Sequence, residues 1–130
     1  MWKYVLNRPK ASKSTYEFKL MHSFEKRKEE GERIRQKYPD KIPIIVEKSD
    51  RSTIAEIDKQ KYLIPKELTV GQFMYILRKS IKLTAEQSMF LFINNTEIPP
   101  TSKKLEDIYK EYVDKDNFLY ITYTGENTFG

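Results

Sequence analysis

The residue patterns point to an α+β domain built on one mixed β-sheet. Four short runs rich in β-branched and aromatic residues, at 41–48, 61–65, 88–93 and 118–124, read as strands. A helical repeat of apolar residues opens on a capping box at Thr69–Gln72, between the second and third runs. The chain has 130 residues and no cysteine. That is enough for one domain with a core that needs no covalent staple.

Taken in order, residues 1–13 read as a flexible extension with Pro9, Ser12 and four basic side chains. A short helical segment covers 16–21. A longer helix covers 24–38, rich in Glu, Lys and Arg, which are good helix formers. Its apolar stripe (Phe24, Ile34, Tyr38) is thin, so most of it should be exposed, and Pro39 stops it. Strand 41–48 carries Pro43, which suits the strand's start or an unpaired side. Residues 49–60 form a polar loop around Ile54 and Ile57. Strand 61–65 ends on Pro65, which fits a sheet edge.

The next helix places Val70, Phe73, Met74, Leu77 and Ile81 on one stripe, with Tyr75 and Ile76 beside it. Ser88–Ile93 is continuously apolar and short, as expected of a strand at the centre of a sheet. Asn94-Asn95-Thr96, Pro99-Pro100 and the Asp114–Asn117 stretch carry turn chemistry. Thr101 or Ser102 should cap a helix whose apolar positions are Leu105, Ile108, Tyr109 and Tyr112. Strand 118–124 follows, then a flexible tail, 125–130. Gly31 and Gly71 read as ordinary helix positions, whereas Gly125 and Gly130 belong to that tail. The resulting order, with a hairpin before a helix that crosses the sheet, is that of the ubiquitin-like β-grasp fold. Here it has a four-stranded mixed sheet, two N-terminal helices added in front, and a body spanning 14–124.

Composition narrows the function. Without cysteine there is no thiol nucleophile and no Cys-based zinc or iron–sulfur site. The single imidazole, His22, falls at a helix end and reads as a surface residue. No phosphate-cradling Gly loop, HExxH or calcium-loop pattern occurs. An enzyme, a metal site and a cofactor are therefore not expected. No apolar run approaches the roughly 20 residues of a membrane helix, and the N-terminus has no cleavable apolar region. A cytosolic or nuclear protein is the expectation. Residues 1–65 hold 16 basic and 10 acidic side chains, against 8 and 9 in the remainder. The excess reads either as a solvated helix face or as a surface for an acidic partner, an anionic membrane or nucleic acid. No RNP-like or helix-turn-helix pattern supports specific nucleic-acid recognition.

Four stretches carry a family likeness: FEKRKEEGERIRQKYPDKIPIIVEK (24–48), DKQKYLIPKELTVGQFMYILRK (58–79), FINNTEIPPTS (92–102) and DKDNFLYITYTGENTFG (114–130). They resemble the Atg8 family of autophagy ubiquitin-like modifiers, with its LC3 and GABARAP branches, over residues 16–130. The first and TVGQF are more similar to GABARAP and fungal members. The resemblance implies conjugation of Gly130 to the amine of phosphatidylethanolamine. It implies Phe129 as the residue read by the processing cysteine protease, and activating and conjugating enzymes as partners. It also implies cargo receptors and adaptors that present an aromatic-x-x-aliphatic (LIR/AIM) motif along strand 61–65. Carried over by position, the aromatic pocket is Glu30, Ile34, Pro43, Ile45, Lys61, Leu63 and Phe118. The aliphatic pocket is Tyr62, Ile64, Pro65, Leu68, Phe73 and Ile76. Lys41 and Lys59 form a basic rim toward acidic flanks. Ser80 stands where GABARAP-type members carry a basic residue. The implied location is the cytoplasm, and the autophagosomal, vacuolar or lysosomal membrane once lipidated.

Three further expectations stand beside that reading. Ser88–Asn94 resembles a strand that some members use for ubiquitin-interacting-type helices, against a plain buried central strand. Trp2-Lys3-Tyr4-Val5 itself fits aromatic-x-x-aliphatic, so Trp2 and Val5 are an intrinsic ligand motif for the groove of the same or a neighbouring molecule. The alternative function is a peptide-binding adaptor of trafficking or the cytoskeleton that is never conjugated.

Overall fold

The computed structural model describes residues 15–50 and 52–125. Two helices lead, α1 (Glu17–Met21) and α2 (Phe24–Lys37), followed by β1 (Lys41–Lys48) and β2 (Lys61–Pro65). Then come α3 (Val70–Ile81), β3 (Met89–Ile93), α4 (Leu105–Tyr112) and β4 (Leu119–Gly125). The strands form one sheet in the order β2-β1-β4-β3. β1 runs antiparallel to β2 and parallel to β4, and β3 runs antiparallel to β4, so the sheet is mixed.

Alternation along the two central strands divides the core into two layers. Ile42, Ile44 and Val46 of β1 and Leu119, Ile121 and Tyr123 of β4 face one way, into a core closed by Val70, Phe73, Leu77 and Ile81 of α3 and Leu105 and Ile108 of α4. Ile45 of β1 and Tyr120 of β4 face the other way, into a smaller cluster with Tyr16, Phe18, Ile34 and Phe118. The N-terminal helices cover that second face. Burial on both faces explains why β1 is apolar almost throughout.

Polar contacts pin the added helices. Both Glu47 carboxylate oxygens accept backbone N–H groups at the start of α1, from Glu17 at 2.7 Å and Phe18 at 2.9 Å. A side chain of the sheet thus caps a helix that has no side-chain cap of its own. Arg27 of α2 donates to the fully buried Asp116 carboxylate at 2.9 Å, and the Tyr120 hydroxyl donates to the same carboxylate at 2.5 Å.

The structure corrects four sequence expectations. β3 lies at an edge and not at the sheet centre, which β1 and β4 occupy. The N-cap of α4 is Lys104, not Thr101 or Ser102, and its side chain makes no capping bond. β4 takes in Gly125, expected in the tail, because Gly125 pairs with Met89 and its N–H is bound by Ser52. Gly31 is no ordinary helix position: a Cβ there would collide with the Asp116 carbonyl oxygen and lie 2.9 Å from the Asn117 Cβ.

A candidate peptide-binding edge and its two flanking pockets

β2 pairs with β1 alone and ends the sheet on that side. Among the described residues its outer backbone groups face no strand, an arrangement that suits pairing with an extended peptide. Its side chains alternate about that edge. Tyr62 and Ile64 point into the α3 layer, where the Tyr62 ring meets Phe73 edge-on at 5.6 Å. Lys61 points toward the N-terminal helices. Its Nζ lies 3.0 Å from Glu30 and 5.3 Å above the Phe18 ring.

The register assembles the proposed aromatic pocket. Ile45 stands opposite Lys61, and Pro43 opposite Leu63. Ile45, Ile34 and Phe118 share one cluster, and Glu30 reaches the same place through Lys61. Depth separates their roles. Ile45 and Phe118 are sealed from solvent and form a floor, while Leu63, Ile34 and Glu30 are half-buried and Lys61 is exposed.

On the α3 side, Tyr62, Ile64 and Phe73 belong to the main core, and Leu68 and Ile76 pack against it part-exposed. The reachable wall there is Leu68 and Ile76, with exposed Pro65 at the strand's end. The basic rim is split between the two ends of the edge. Lys41 pairs with Pro65 at one end, whereas Lys59 lies over the Tyr62 ring at 5.2 Å near the other. Ser80 directs its hydroxyl to the Ile76 carbonyl at 3.2 Å.

Trp2, Val5, Phe129 and Gly130 lie outside the described residues. Among the described residues, no group of three or more His, Asp or Glu side chains is placed to hold a metal ion. No helix among them is long and apolar enough to cross a membrane.

Sequence reasoning missed Phe18, Arg27 and Asp116. Phe18 stacks edge-on against Phe118 at 5.4 Å and lies beneath Lys61, which puts it in contact with two residues of the candidate aromatic pocket. Arg27 and Asp116 hold α2, and with it Glu30 and Ile34, at a fixed distance from β4. Burial opposes the charge of Asp114 in the same turn, but Lys19 at 2.8 Å and the Asp116 N–H outweigh it and hold that carboxyl below its usual value. Burial pushes the Tyr120 hydroxyl far up, and the neighbouring Asp116 carboxylate adds to the shift, so Tyr120 stays a proton donor. The only sequence signal for this network was two acids within one turn.

A mixed four-stranded sheet, a helix crossing one face and two helices added on the other define a ubiquitin-like domain with an N-terminal helical extension. A family model described as "Autophagy protein Atg8 ubiquitin like" matches residues 26–130. Autophagy-related protein 8e of Arabidopsis thaliana is 57% identical over 113 residues, covering 87% of this chain and 92% of that protein. Autophagy-related protein 8 of Mycosarcoma maydis is 58% identical, with coverages of 87% and 95%. The crystal structure of Trypanosoma brucei ATG8 superposes with a TM-score of 0.83 at 44% identity, covering 90% of this chain and all of that one. Plasmodium falciparum Atg8, solved in complex with a Plasmodium falciparum Atg3 peptide, gives a TM-score of 0.77 at 35% identity over 86% of this chain and all of its own. The chain belongs to the Atg8 family of autophagy ubiquitin-like proteins.

Proposed function

We propose that this chain is an autophagy modifier that receives aromatic-x-x-aliphatic peptides along β2 and is joined through Gly130 to phosphatidylethanolamine. The observation that supports the peptide reading is the β2 edge, which pairs with β1 alone among the described residues and has part-exposed Leu63 and Ile34 on one side and Leu68 and Ile76 on the other. An extended peptide advances about 10 Å over three residues. Its first and fourth side chains then enter the Leu63–Lys61 side and the Leu68–Ile76 side respectively. Lys59, Lys61 and Lys41 attract acidic residues flanking the motif. That a Plasmodium relative was solved with a peptide bound agrees with this reading.

Conjugation is supported by family membership. In that chemistry the Gly130 carboxylate displaces pyrophosphate from ATP to form an acyl adenylate. An enzyme thiol displaces AMP, and the lipid amine then displaces the thiol to leave an amide. A terminal glycine presents an unhindered carbonyl to each nucleophile. The protein is then cytoplasmic when free and held on autophagosomal membranes when lipidated, where two acyl chains give stable anchoring. Its partners are motif-bearing cargo receptors and adaptors, the activating and conjugating enzymes and the processing protease.

Two measurements test the proposal. In calorimetry with a Trp-x-x-Leu peptide carrying acidic flanks, Leu63→Ala should weaken binding about tenfold or more, the scale of a truncated anchor contact. Undiminished binding would remove β2 as the site. Incubation with activating and conjugating enzymes, ATP and phosphatidylethanolamine vesicles should give an adduct that Gly130→Ala abolishes. If the wild-type chain gives none, the unconjugated adaptor stands instead.

A further inference from the structure

Among the described residues, the last rung of the sheet on the β1 side of β4 is made by a side chain. The parallel ladder between β1 and β4 has its final register pair at Lys48 and Tyr123. One bond follows, from the Ser49 N–H to the Tyr123 carbonyl at 2.8 Å. The next donor along β4 on that side is the Gly125 N–H. It donates to the Ser52 Oγ at 2.9 Å, and so meets a hydroxyl where a neighbouring strand would offer a carbonyl.

The same Oγ accepts the Ile54 N–H at 3.2 Å, which fixes its position within the loop. The loop is itself held. Lys48 Nζ donates to the Ser49 and Ser52 carbonyls at 2.9 and 2.8 Å, and the Tyr123 hydroxyl donates to the Ala55 carbonyl at 3.0 Å. On its other side Gly125 pairs with Met89 of β3. Gly125, the last residue of β4, thus has a partner on each side.

We propose that Ser52 is a positioning residue for the conjugation terminus: its hydroxyl fixes Gly125, the last residue of β4, five residues before Gly130. The inference rests on the reading of Gly130 as the conjugated residue. Five residues, 126–130, remain to carry that carboxylate into an enzyme's groove, a reach of about 17 Å when fully extended. Without the Ser52 bond, the last anchor on the β1 side falls back to Tyr123. The body and the terminus then dock as two loosely coupled parts, and the enzyme must order the extra length on binding.

The test uses the full chain, the activating and conjugating enzymes, ATP and phosphatidylethanolamine vesicles. Ser52→Ala should raise the KM for activation about three- to tenfold, the weight of one hydrogen bond, with kcat unchanged. Ser52→Thr, which keeps the hydroxyl, should restore the wild-type KM. Amide hydrogen exchange should show Gly125 losing protection in Ser52→Ala while Tyr123 and the thermal midpoint stay as they were, a pattern that a general loss of structure would not give. A wild-type KM in Ser52→Ala, or a Gly125 amide as protected as before, would overturn the assignment. Failure of the wild-type chain to form any adduct would instead count against conjugation itself.

Discussion

Gly31 and Asp116 meet where α2 crosses the turn before β4, and each is there for the other's sake. A Cβ at position 31 would drive into the Asp116 carbonyl oxygen, so only glycine lets the helix approach so closely. Alanine would gain about 1 kcal/mol of helix propensity, but overpacking against backbone costs about 1–3 kcal/mol and the turn cannot retreat without losing its buried bonds. Gly31→Ala should therefore lower the unfolding free energy in urea, and a rise would contradict the close approach. Asp116 accepts from Arg27, Tyr120 and the Phe118 N–H. Asp116→Ala leaves Arg27 charged and unpaired in a buried site, which should cost about 3–5 kcal/mol. A double variant with Arg27→Ala should be clearly less destabilised than the sum of the two singles, measured by the same unfolding curves. Neither residue was legible in the sequence. Periodicity reports neighbours within one element, while these contacts join a helix near the N-terminus to a turn near the C-terminus.

Among the elements, α3 was legible to the residue because its capping box is local, although its first two N–H groups, of Val70 and Gly71, go out to the Lys103 and Thr101 carbonyls at 2.9 Å. Thr69 Oγ1 accepts the Gln72 N–H at 3.2 Å and the Gln72 side chain accepts the Thr69 N–H at 2.8 Å. The start of α4 was misread because it has no side-chain cap at all, and its first donors are met from outside the helix alone. Leu105 and Glu106 N–H groups go to the Leu68 and Lys66 carbonyls at 2.8 and 3.1 Å, so no side-chain cap is required. Thermal or urea unfolding should separate the two cases. Thr69→Ala should cost about 1 kcal/mol, whereas Thr101→Ala and Ser102→Ala should each stay within about 0.5 kcal/mol of the parent chain. β3 teaches a related lesson. Continuous apolarity in Met89–Ile93 signals covered faces, since all but Phe90 are buried, but it does not say whether a second strand lies alongside. For β2 the proline at its end and its short length did identify the edge. The alternation that turns Tyr62 and Ile64 toward α3 and Lys61 toward the N-terminal helices followed from the strand period, whereas the depth of Ile45, Phe118 and Phe73 depends on the packed fold.

At the scale of the whole molecule, tyrosine sets an alkaline limit. Burial raises the hydroxyls of Tyr16, Tyr62, Tyr109, Tyr120 and Tyr123 above the ordinary value of 10.0. The unfolded chain loses these protons first, so their contribution is complete below pH 10.0 and is lost as pH rises through the higher folded values. The Asp114 carboxyl acts at the other end: its lowered folded value gives a contribution present above 3.8 that disappears as pH falls through the folded value. The urea midpoint should thus hold level through neutral pH, fall steeply above about pH 10 and decline again in acid. A midpoint that held level above pH 10 would mean that the tyrosines ionise without unfolding. The central pair of the sheet also bears on how the protein is made. β1 emerges early from the ribosome, but its parallel neighbour is β4, and Ile44 must wait for Leu119. Until then β1 has only β2 beside it, with the far edge of a strongly apolar strand unpaired. Closure of the domain is an event of late synthesis, and a chain halted before Leu119 would offer that bare strand to chaperones and to other nascent chains.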